Sequence, residues 1–149
     1  MIPDFDDSGN LPPGRYRATW EEFANRFGSN DHRRQLLSGM NRMLLSLKRY
    51  GCRRAYIDGS FVTRKEYPDD YDGCWSPIGV DLQELYKGDP VLLDFRNQRL
   101  AQKVKYGGEM FPAEMTEGLS GRVFLEFFQR DKTTGDFKGI VEIELGGLS

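Results

Sequence analysis

Apolar residues between positions 36 and 47 recur at intervals of three and four residues, which is the spacing of one face of an α-helix. The members of this stripe are Leu36, Leu37, Met40, Met43, Leu44 and Leu47. They predict a helix that begins after Asn30 and ends at about Tyr50, where Gly51 can close it. Because the stripe is continuous and apolar, we interpret it as a core-facing surface and not as a cofactor site.

A shorter helix is predicted just before this one. Thr19 and Glu22 have the spacing of a capping box, in which a hydroxyl and a carboxylate satisfy backbone amides at a helix start. The helix would run to about Phe27. By contrast, residues 1–18 are expected to form an extended arm, because the Pro-Pro-Gly run at positions 12–14 disfavours regular structure.

Short segments with β-branched or aromatic residues between turn residues are predicted to be strands. They are Arg53–Ile57, Asp70–Trp75, Glu109–Phe111 and Lys138–Leu145. Helical segments are predicted between them: a turn at Asp81–Leu85, a helix from Asp89-Pro90 to about Lys105, and a helix capped by Ser120 that carries Phe124, Phe127 and Phe128. This interleaving predicts an α+β fold, a small mixed β-sheet covered by helices, as one domain over residues 1–149.

The composition excludes several classes of site and of protein. The chain has one histidine and two cysteines, so it lacks the ligands of a Cys/His zinc site. Its 21 Lys and Arg residues against 23 Asp and Glu residues leave no broad basic face for nucleic acid. No apolar run is long enough to span a membrane, and the acidic, proline-containing start is not typical of a signal peptide. We therefore expect a cytoplasmic protein whose chemistry depends on carboxylates.

The segment from Asp58 to Asp72 carries the candidate chemistry. Gly59 and Ser60 follow a predicted strand, where backbone amides and a hydroxyl can approach a phosphate closely. Asp58 itself is equally compatible with orienting this loop or with capping it. Asp70 and Asp72 alternate on the next predicted strand, which places both carboxylates on one face. Such a pair can hold Mg²⁺, so the pattern predicts metal-dependent phosphoryl or nucleotidyl transfer.

The order of these features resembles a known superfamily. A helix, a strand, Gly-Ser, nine further residues and Asp-x-Asp are similar to the nucleotidyltransferases related to DNA polymerase β, whose small stand-alone members are the minimal nucleotidyltransferases. Over nearly the whole chain, the sequence also resembles a bacterial family of nucleotidyltransferase-like proteins without assigned function. The shared runs are IPDFDDSGNLPPG, YIDGSFVT, VLLDF and FFQRDKTTGDFKGIV.

The resemblance implies a role for each matching residue. Gly59 and Ser60 would hold the triphosphate of a nucleotide. Asp70 and Asp72 would bind a divalent metal, Mg²⁺ or Mn²⁺. In that superfamily a third carboxylate on a later strand completes the site, and Glu109 is the candidate because it opens the first predicted strand after the helix that follows Asp72.

The sequence also offers alternative site residues and departs from the superfamily pattern at two positions. Glu126 is the alternative third carboxylate, although its neighbouring phenylalanines favour a helix there. Arg64 and Lys65 are further candidates for contacts with phosphate. The sequence departs from the superfamily at Gly73, where a strand hydrophobe is usual, and in using Glu109 as the third acid. Either departure is compatible with weakened or lost activity.

The expected reaction is transfer of a nucleoside monophosphate from a nucleoside triphosphate to an acceptor hydroxyl. The acceptor would belong to a protein or to an RNA 3′ end, because a chain of 149 residues leaves little room for an acceptor domain. The resemblance to minimal nucleotidyltransferases implies a toxin–antitoxin or defence pair as the context. Two alternatives stay open: a catalytically weak nucleotide-binding or partner-binding module with its aromatic N-terminal region as an interface, and a metal-dependent nuclease.

Overall fold

The computed structural model describes residues 1–131 and 134–148. Within them, strands form one mixed sheet in the order β1-β5-β2-β3-β4. The strands are β1 (Gly14–Ala18), β2 (Arg54–Asp58), β3 (Asp72–Trp75), β4 (Glu109–Pro112) and β5 (Gly139–Glu144). β1 is parallel to β5 and β4 is parallel to β3, whereas β2 is antiparallel to both of its neighbours. The predicted α+β class is confirmed.

Helices and short 3₁₀ turns connect these strands. The helices are α1 (Trp20–Phe27), α2 (Asp31–Arg49), α3 (Leu82–Gly88), α4 (Arg96–Tyr106) and α5 (Phe124–Phe127), and the turns are Gly59–Val62, Pro90–Leu93 and Leu145–Gly147. The capping box before α1 is confirmed: Thr19 Oγ1 accepts a hydrogen bond from the Glu22 amide at 3.1 Å, and Glu22 Oε1 accepts one from the Thr19 amide at 3.2 Å. Asn30 caps α2 by accepting from the Arg33 amide at 2.8 Å.

Each face of the sheet carries its own apolar cluster. The stripe of α2 lies in the larger cluster together with Ala55 and Ile57 of β2, which confirms its predicted core-facing role. Phe23 and Phe27 of α1 are fully buried in the same cluster, so these two aromatic residues form core and not an interface. Tyr56, between the two β2 residues, belongs to the smaller cluster, as the two-residue alternation of a strand requires.

The N-terminal arm is shorter than predicted. Its last part, Gly14–Ala18, forms β1, and only residues 1–13 lie outside regular structure. The prolines at positions 12 and 13 restrict their own backbone but not the residues that follow. From Gly14 onward the chain pairs with β5, in register from Gly139 to Ile143. The edge of β5 is a partner distant in sequence, so local sequence signals do not reveal it.

The helix predicted from Asp89 to about Lys105 is wrong in its first half. Pro90–Leu93 is a single 3₁₀ turn, and α4 begins only after it. Asp89 does not cap a helix because its buried carboxylate is used for tertiary contacts. It accepts hydrogen bonds from Ser46 Oγ at 2.6 Å, from Lys105 Nζ at 2.9 Å, and from the hydroxyl of Tyr106.

Two other predicted helix starts have different outcomes. Asp81 caps α3, since its Oδ1 accepts from the Glu84 amide at 3.1 Å, and the predicted turn extends into a helix of seven residues. Ser120 does not cap α5, which is a single turn beginning at Phe124; the Ser120 hydroxyl accepts instead from the Arg122 amide at 3.2 Å. No helix in the described part of the chain is both long enough and apolar enough to cross a membrane.

Candidate functional site

The ends of β2 and β3 bring the Gly-Ser turn against an acidic side chain. Asp58, the last residue of β2, pairs across the ladder with Asp72, the first residue of β3. The chain then turns at Gly59, whose φ of 75° lies in the left-handed region that favours glycine. A Cβ atom on Gly59 would lie 2.6 Å from Asp72 Oδ2, so the missing side chain allows this close approach. The turn of Gly59 and Ser60 therefore faces the Asp72 carboxylate.

Glu109 joins Asp72 from the neighbouring strand. The parallel pairing of β3 and β4 sets Glu109 directly beside Asp72 in register, and their carboxyl groups share a hydrogen bond. Asp70 lies before β3, so the predicted alternation of Asp70 and Asp72 on one strand is wrong, because the β2–β3 ladder begins at the Asp58–Asp72 pair. The negative charge of Asp70 nevertheless acts on the Asp72 carboxyl group. Burial, together with the charges of Asp70 and Glu109, raises the pKa of Asp72 to about 7.

Glu109 is also held by two cations of α4. Arg99 Nε donates to Glu109 Oε2 at 2.7 Å, and Lys103 Nζ lies 3.7 Å from the same oxygen. Arg99 ends a run with Asn97 and Gln98 in which φ is 50° to 60°, a left-handed backbone that is unusual for residues other than glycine. Among residues 1–131 and 134–148, no group of three or more His, Cys, Asp or Glu side chains stands ready to hold a metal ion. Glu109 would have to leave its cations to complete such a group.

A cavity of about 430 Å³ opens at the Gly-Ser turn. Gly59, Ser60 and Asp72 line it, and Lys138 lines it from the segment just before β5. Lys138 Nζ lies 3.5 Å from Asp58 Oδ1, and its side chain is 20% exposed. Asp58, Asp72 and Asp131 also line the cavity. An anionic ligand would therefore meet complementary charge at the Lys138 ammonium group and at any cation that these carboxylates hold. We call this space the Gly-Ser cavity.

A second cavity, of about 340 Å³, lies on the β4 side of Asp72. Its lining includes Arg99, Glu109 and the rings of Phe111, Phe124, Phe127 and Phe128. We call it the aromatic cavity. Asp72 lines both cavities, so its carboxylate stands between a polar space and an aromatic one.

Three predicted candidates lie outside the Gly-Ser cavity. The exposed Arg64 donates to a carbonyl of the N-terminal segment at 3.1 Å, and the backbone carbonyl of the exposed Lys65 accepts a hydrogen bond from Arg33 at 2.6 Å. Neither is among the residues that line that cavity. Glu126, the alternative third carboxylate, is exposed on α5 and lies 3.9 Å from Arg122. The position beside Asp72 belongs to Glu109.

Lys138 and Arg99 are the cations of the site that sequence reasoning missed. In the sequence, Lys138 is simply the first residue of the last predicted strand, and Arg99 lies within a long predicted helix. Lys138 reaches Asp58 because the sheet order places β5 beside β2. The only local signal was a basic residue at the start of a strand, which is too common to indicate a site.

Gly73 has a packing role that explains its departure from the superfamily pattern. A Cβ atom there would lie 2.3 Å from the carbonyl oxygen of Tyr56, a backbone atom that cannot move aside cheaply. We expect Gly73→Ala to lower the free energy of unfolding by about 1–3 kcal/mol, measured by urea denaturation. Gly118→Ala is the control, since a Cβ on Gly118 meets no atom within 4 Å. Equal effects of the two substitutions would contradict this explanation.

The comparisons with known proteins identify the family and nothing more specific. No curated protein and no solved structure matches the chain. A family model described as a family of unknown function (DUF6932) matches residues 3–144. That range contains all the residues of both cavities and every strand of the sheet. Because the match spans nearly the whole chain, this protein belongs to the DUF6932 family.

Proposed function

We propose that this protein is a metal-dependent nucleotidyltransferase that moves a nucleoside monophosphate from a nucleoside triphosphate to a hydroxyl of a protein or an RNA. The observation that carries the proposal is the approach of the Gly59-Ser60 turn to the carboxylates of Asp72 and Glu109 at one end of the sheet. A phosphate-accepting turn beside metal-accepting carboxylates is the arrangement that phosphoryl transfer needs. The resemblance of the Gly-Ser and Asp-x-Asp order to nucleotidyltransferases supports the same interpretation.

The donor set suits Mg²⁺ or Mn²⁺. Carboxylate oxygens are the hard ligands that these ions prefer. The charges of Asp70 and Glu109 disfavour the charged form of Asp72, and a divalent cation would relieve that repulsion. Asp70 and Asp72 would hold the ion, and Glu109 would join them on exchanging its contacts with Arg99 and Lys103. When bound, the ion would neutralise charge that develops on the transferred phosphate.

The chain's own residues would bind and orient the substrate. Gly59 offers backbone without a Cβ, and Ser60 offers a hydroxyl donor to the phosphates. Lys138 would contact the terminal phosphates with its ammonium group. The acceptor oxygen forms a bond to the α-phosphorus as the bond from that phosphorus to the bridging oxygen breaks. Pyrophosphate leaves, and the hydroxyl proton passes to a carboxylate of Asp70, Asp72 or Glu109.

Binding and transfer test the proposal separately. We expect Mn²⁺ with at least one of ATP, GTP, CTP and UTP to raise the melting temperature, because a ligand of the native state stabilises it. With cell lysate as the source of acceptors, an α-phosphate-labelled triphosphate should label a protein or an RNA. The double variant Asp70→Asn, Asp72→Asn serves as the control and should show neither effect. No shift with any of the four nucleotides would contradict the proposal, and cleavage of nucleic acid without a triphosphate would indicate a nuclease.

Lys138 provides a further test of where the phosphates lie. We expect Lys138→Gln to weaken triphosphate binding by about 10- to 100-fold, because a hydrogen bond to a charged group contributes about 1.5–3 kcal/mol. Titration calorimetry with Mn²⁺ present would measure it. Arg64→Gln is the matched control, since Arg64 lies outside the Gly-Ser cavity. If Arg64→Gln weakens binding and Lys138→Gln does not, the phosphates lie elsewhere.

A second candidate function is nucleotide binding without transfer. The observation that favours it is the ion pair of Glu109 with Arg99, because this contact uses the third carboxylate where a metal ion would otherwise bind. Such a module would bind a nucleotide in the Gly-Ser cavity while Glu109 stays in its ion pair with Arg99 and does not reach a metal ion. Nucleotide-dependent stabilisation with no transfer of label to any acceptor would distinguish this function from the first.

A further inference from the structure

The four phenylalanine rings of the aromatic cavity take no part in the phosphate chemistry described above. Its wall is built from stacked rings: the centroids of Phe111 and Phe124 lie 4.0 Å apart with an interplanar angle of 6°. Both rings are largely buried, whereas Arg99 and Glu109 bring charged groups to the same cavity. A wall of aromatic rings beside hydrogen-bonding groups suits a planar heterocycle better than an aliphatic chain.

Phe127 is the ring of this wall with surface left for a ligand. Phe111, Phe124 and Phe128 are each no more than 8% exposed, but Phe127 is only partly buried. It packs against Phe124 at an interplanar angle of 85° and against Phe128 at 62°, so it does not stack face to face on either ring. Gly118, which also lines the cavity, has open space at its Cβ position. Phe127 and Gly118 thus give the cavity lining that other side chains do not fully cover, which a flat group can use.

We propose that the aromatic cavity binds the nucleobase of the substrate, stacked on Phe127, while the triphosphate occupies the Gly-Ser cavity. Asp72 lines both cavities. In a nucleotide, one ribose separates the α-phosphate from the base, so a single ligand can reach from one cavity to the other across the carboxylates. An acceptor with an aromatic ring is the competing occupant, but the nucleotide accounts for both cavities with one molecule. This inference rests on the proposed function and assigns its substrate a planar base.

Calorimetric titration with Mn²⁺ present tests the inference, using ATP, GTP, CTP, UTP and inorganic tripolyphosphate as probes. We expect wild-type protein to bind at least one of the nucleotides fivefold or more tightly than tripolyphosphate, since stacking on an aromatic side chain contributes about fivefold or more. Phe127→Ala should remove this preference and leave the affinity for tripolyphosphate unchanged. The readout is thus the ratio of the affinities for nucleotide and for tripolyphosphate, measured on the same variant. A general loss of stability would lower both affinities and leave their ratio unchanged.

Two further variants serve as a conservative substitution of Phe127 and as a matched control. Phe127→Leu keeps apolar volume and protects against a failure of Phe127→Ala to fold; it too should lose most of the preference. Phe95→Leu is the matched control, because Phe95 stacks on Phe111 at 5.5 Å but does not line the aromatic cavity, and it should bind nucleotides as wild type does.

The outcomes separate this inference from the proposed function. Equal affinities of wild-type protein for tripolyphosphate and all four nucleotides would overturn the base site and leave the phosphate site standing. Phe127 variants that bind nucleotides as wild type does would also overturn the base site and leave the phosphate site standing. Phe127 variants that raise only the KM for the acceptor would overturn the base site too, and would assign the cavity to the acceptor. If neither tripolyphosphate nor any nucleotide binds, the proposed function fails and the base site with it.

Discussion

Replacing Asp72 by asparagine is expected to lower nucleotidyl transfer by at least about a hundredfold while making the folded protein more stable at pH 8. The carboxylate is partly buried, and Asp70 and Glu109 add like charges around it. Asparagine removes the charge but can still donate a hydrogen bond to Glu109. A residue retained for stability would show the opposite result, so the combination of lost transfer and gained stability identifies a functional carboxylate.

The gain in stability should depend on pH. Because the pKa of Asp72 is raised from its ordinary value of 3.8 to about 7, the native state holds this proton more tightly than the unfolded chain does. The wild-type protein therefore loses stability as pH rises from about 4 through 7, by an amount on the order of a few kcal/mol. An asparagine side chain does not titrate, so the Asp72→Asn variant should exceed wild type at pH 8, and the difference should shrink at pH 5.

Urea denaturation at the two pH values measures this difference, and initial rates of label transfer measure activity. Asp69→Asn is the matched control: it removes the same charge from an exposed neighbour and should change neither stability nor transfer appreciably. A variant of Asp72 that is less stable than wild type at pH 8, or that transfers label normally, would refute the assignment. Added Mn²⁺ should stabilise wild-type protein at pH 8 and have no such effect on Asp72→Asn.

The second large effect is expected at Arg33, a buried residue in the first turn of α2 whose guanidinium reaches the loop after the Gly-Ser turn. Its guanidinium donates to the carbonyl oxygens of Phe27 at 3.2 Å and Phe61 at 2.8 Å. It also donates to those of Thr63 at 3.0 Å and Lys65 at 2.6 Å. Arg33 is only 3% exposed, so these carbonyl groups depend on one side chain. It therefore fastens the segment that follows Gly59-Ser60 to the helix.

Arg33→Met should lower the free energy of unfolding by at least about 3 kcal/mol, because each carbonyl left buried without a partner costs about 1–3 kcal/mol. Urea denaturation measures the change. Arg34→Met is the matched control: Arg34 is exposed, contacts the carbonyl of Gly28 at 2.9 Å and pairs with Asp31, and its loss should cost no more than about 1 kcal/mol. Similar losses at the two positions would contradict the bridging role. In any Arg33→Met protein that folds, triphosphate affinity should fall as the turn loses its support.

The elements with a complete local signal were predictable from the sequence. The capping box at Thr19 and Glu22 and the apolar stripe of α2 depend on residues a few positions apart, and both are confirmed. The strand beginning at Glu109 is also confirmed. The first half of the helix predicted from Asp89 was wrong because that carboxylate has distant partners, Ser46 and Tyr106, that no local pattern shows.

By itself, the sequence determined the capping box before α1 and the buried stripe of α2, and it singled out the Gly-Ser turn and the Asp-x-Asp pair, because these signals arise from residues a few positions apart. Only the tertiary structure decided what stands around them. The order of the sheet put Glu109 beside Asp72 and brought Lys138 to Asp58. The packing of α4 placed Arg99 on Glu109, and the folded chain formed an aromatic cavity that Asp72 and Glu109 also line. Burial and charge depend on neighbours distant in sequence, so they become defined only when the whole sheet has assembled.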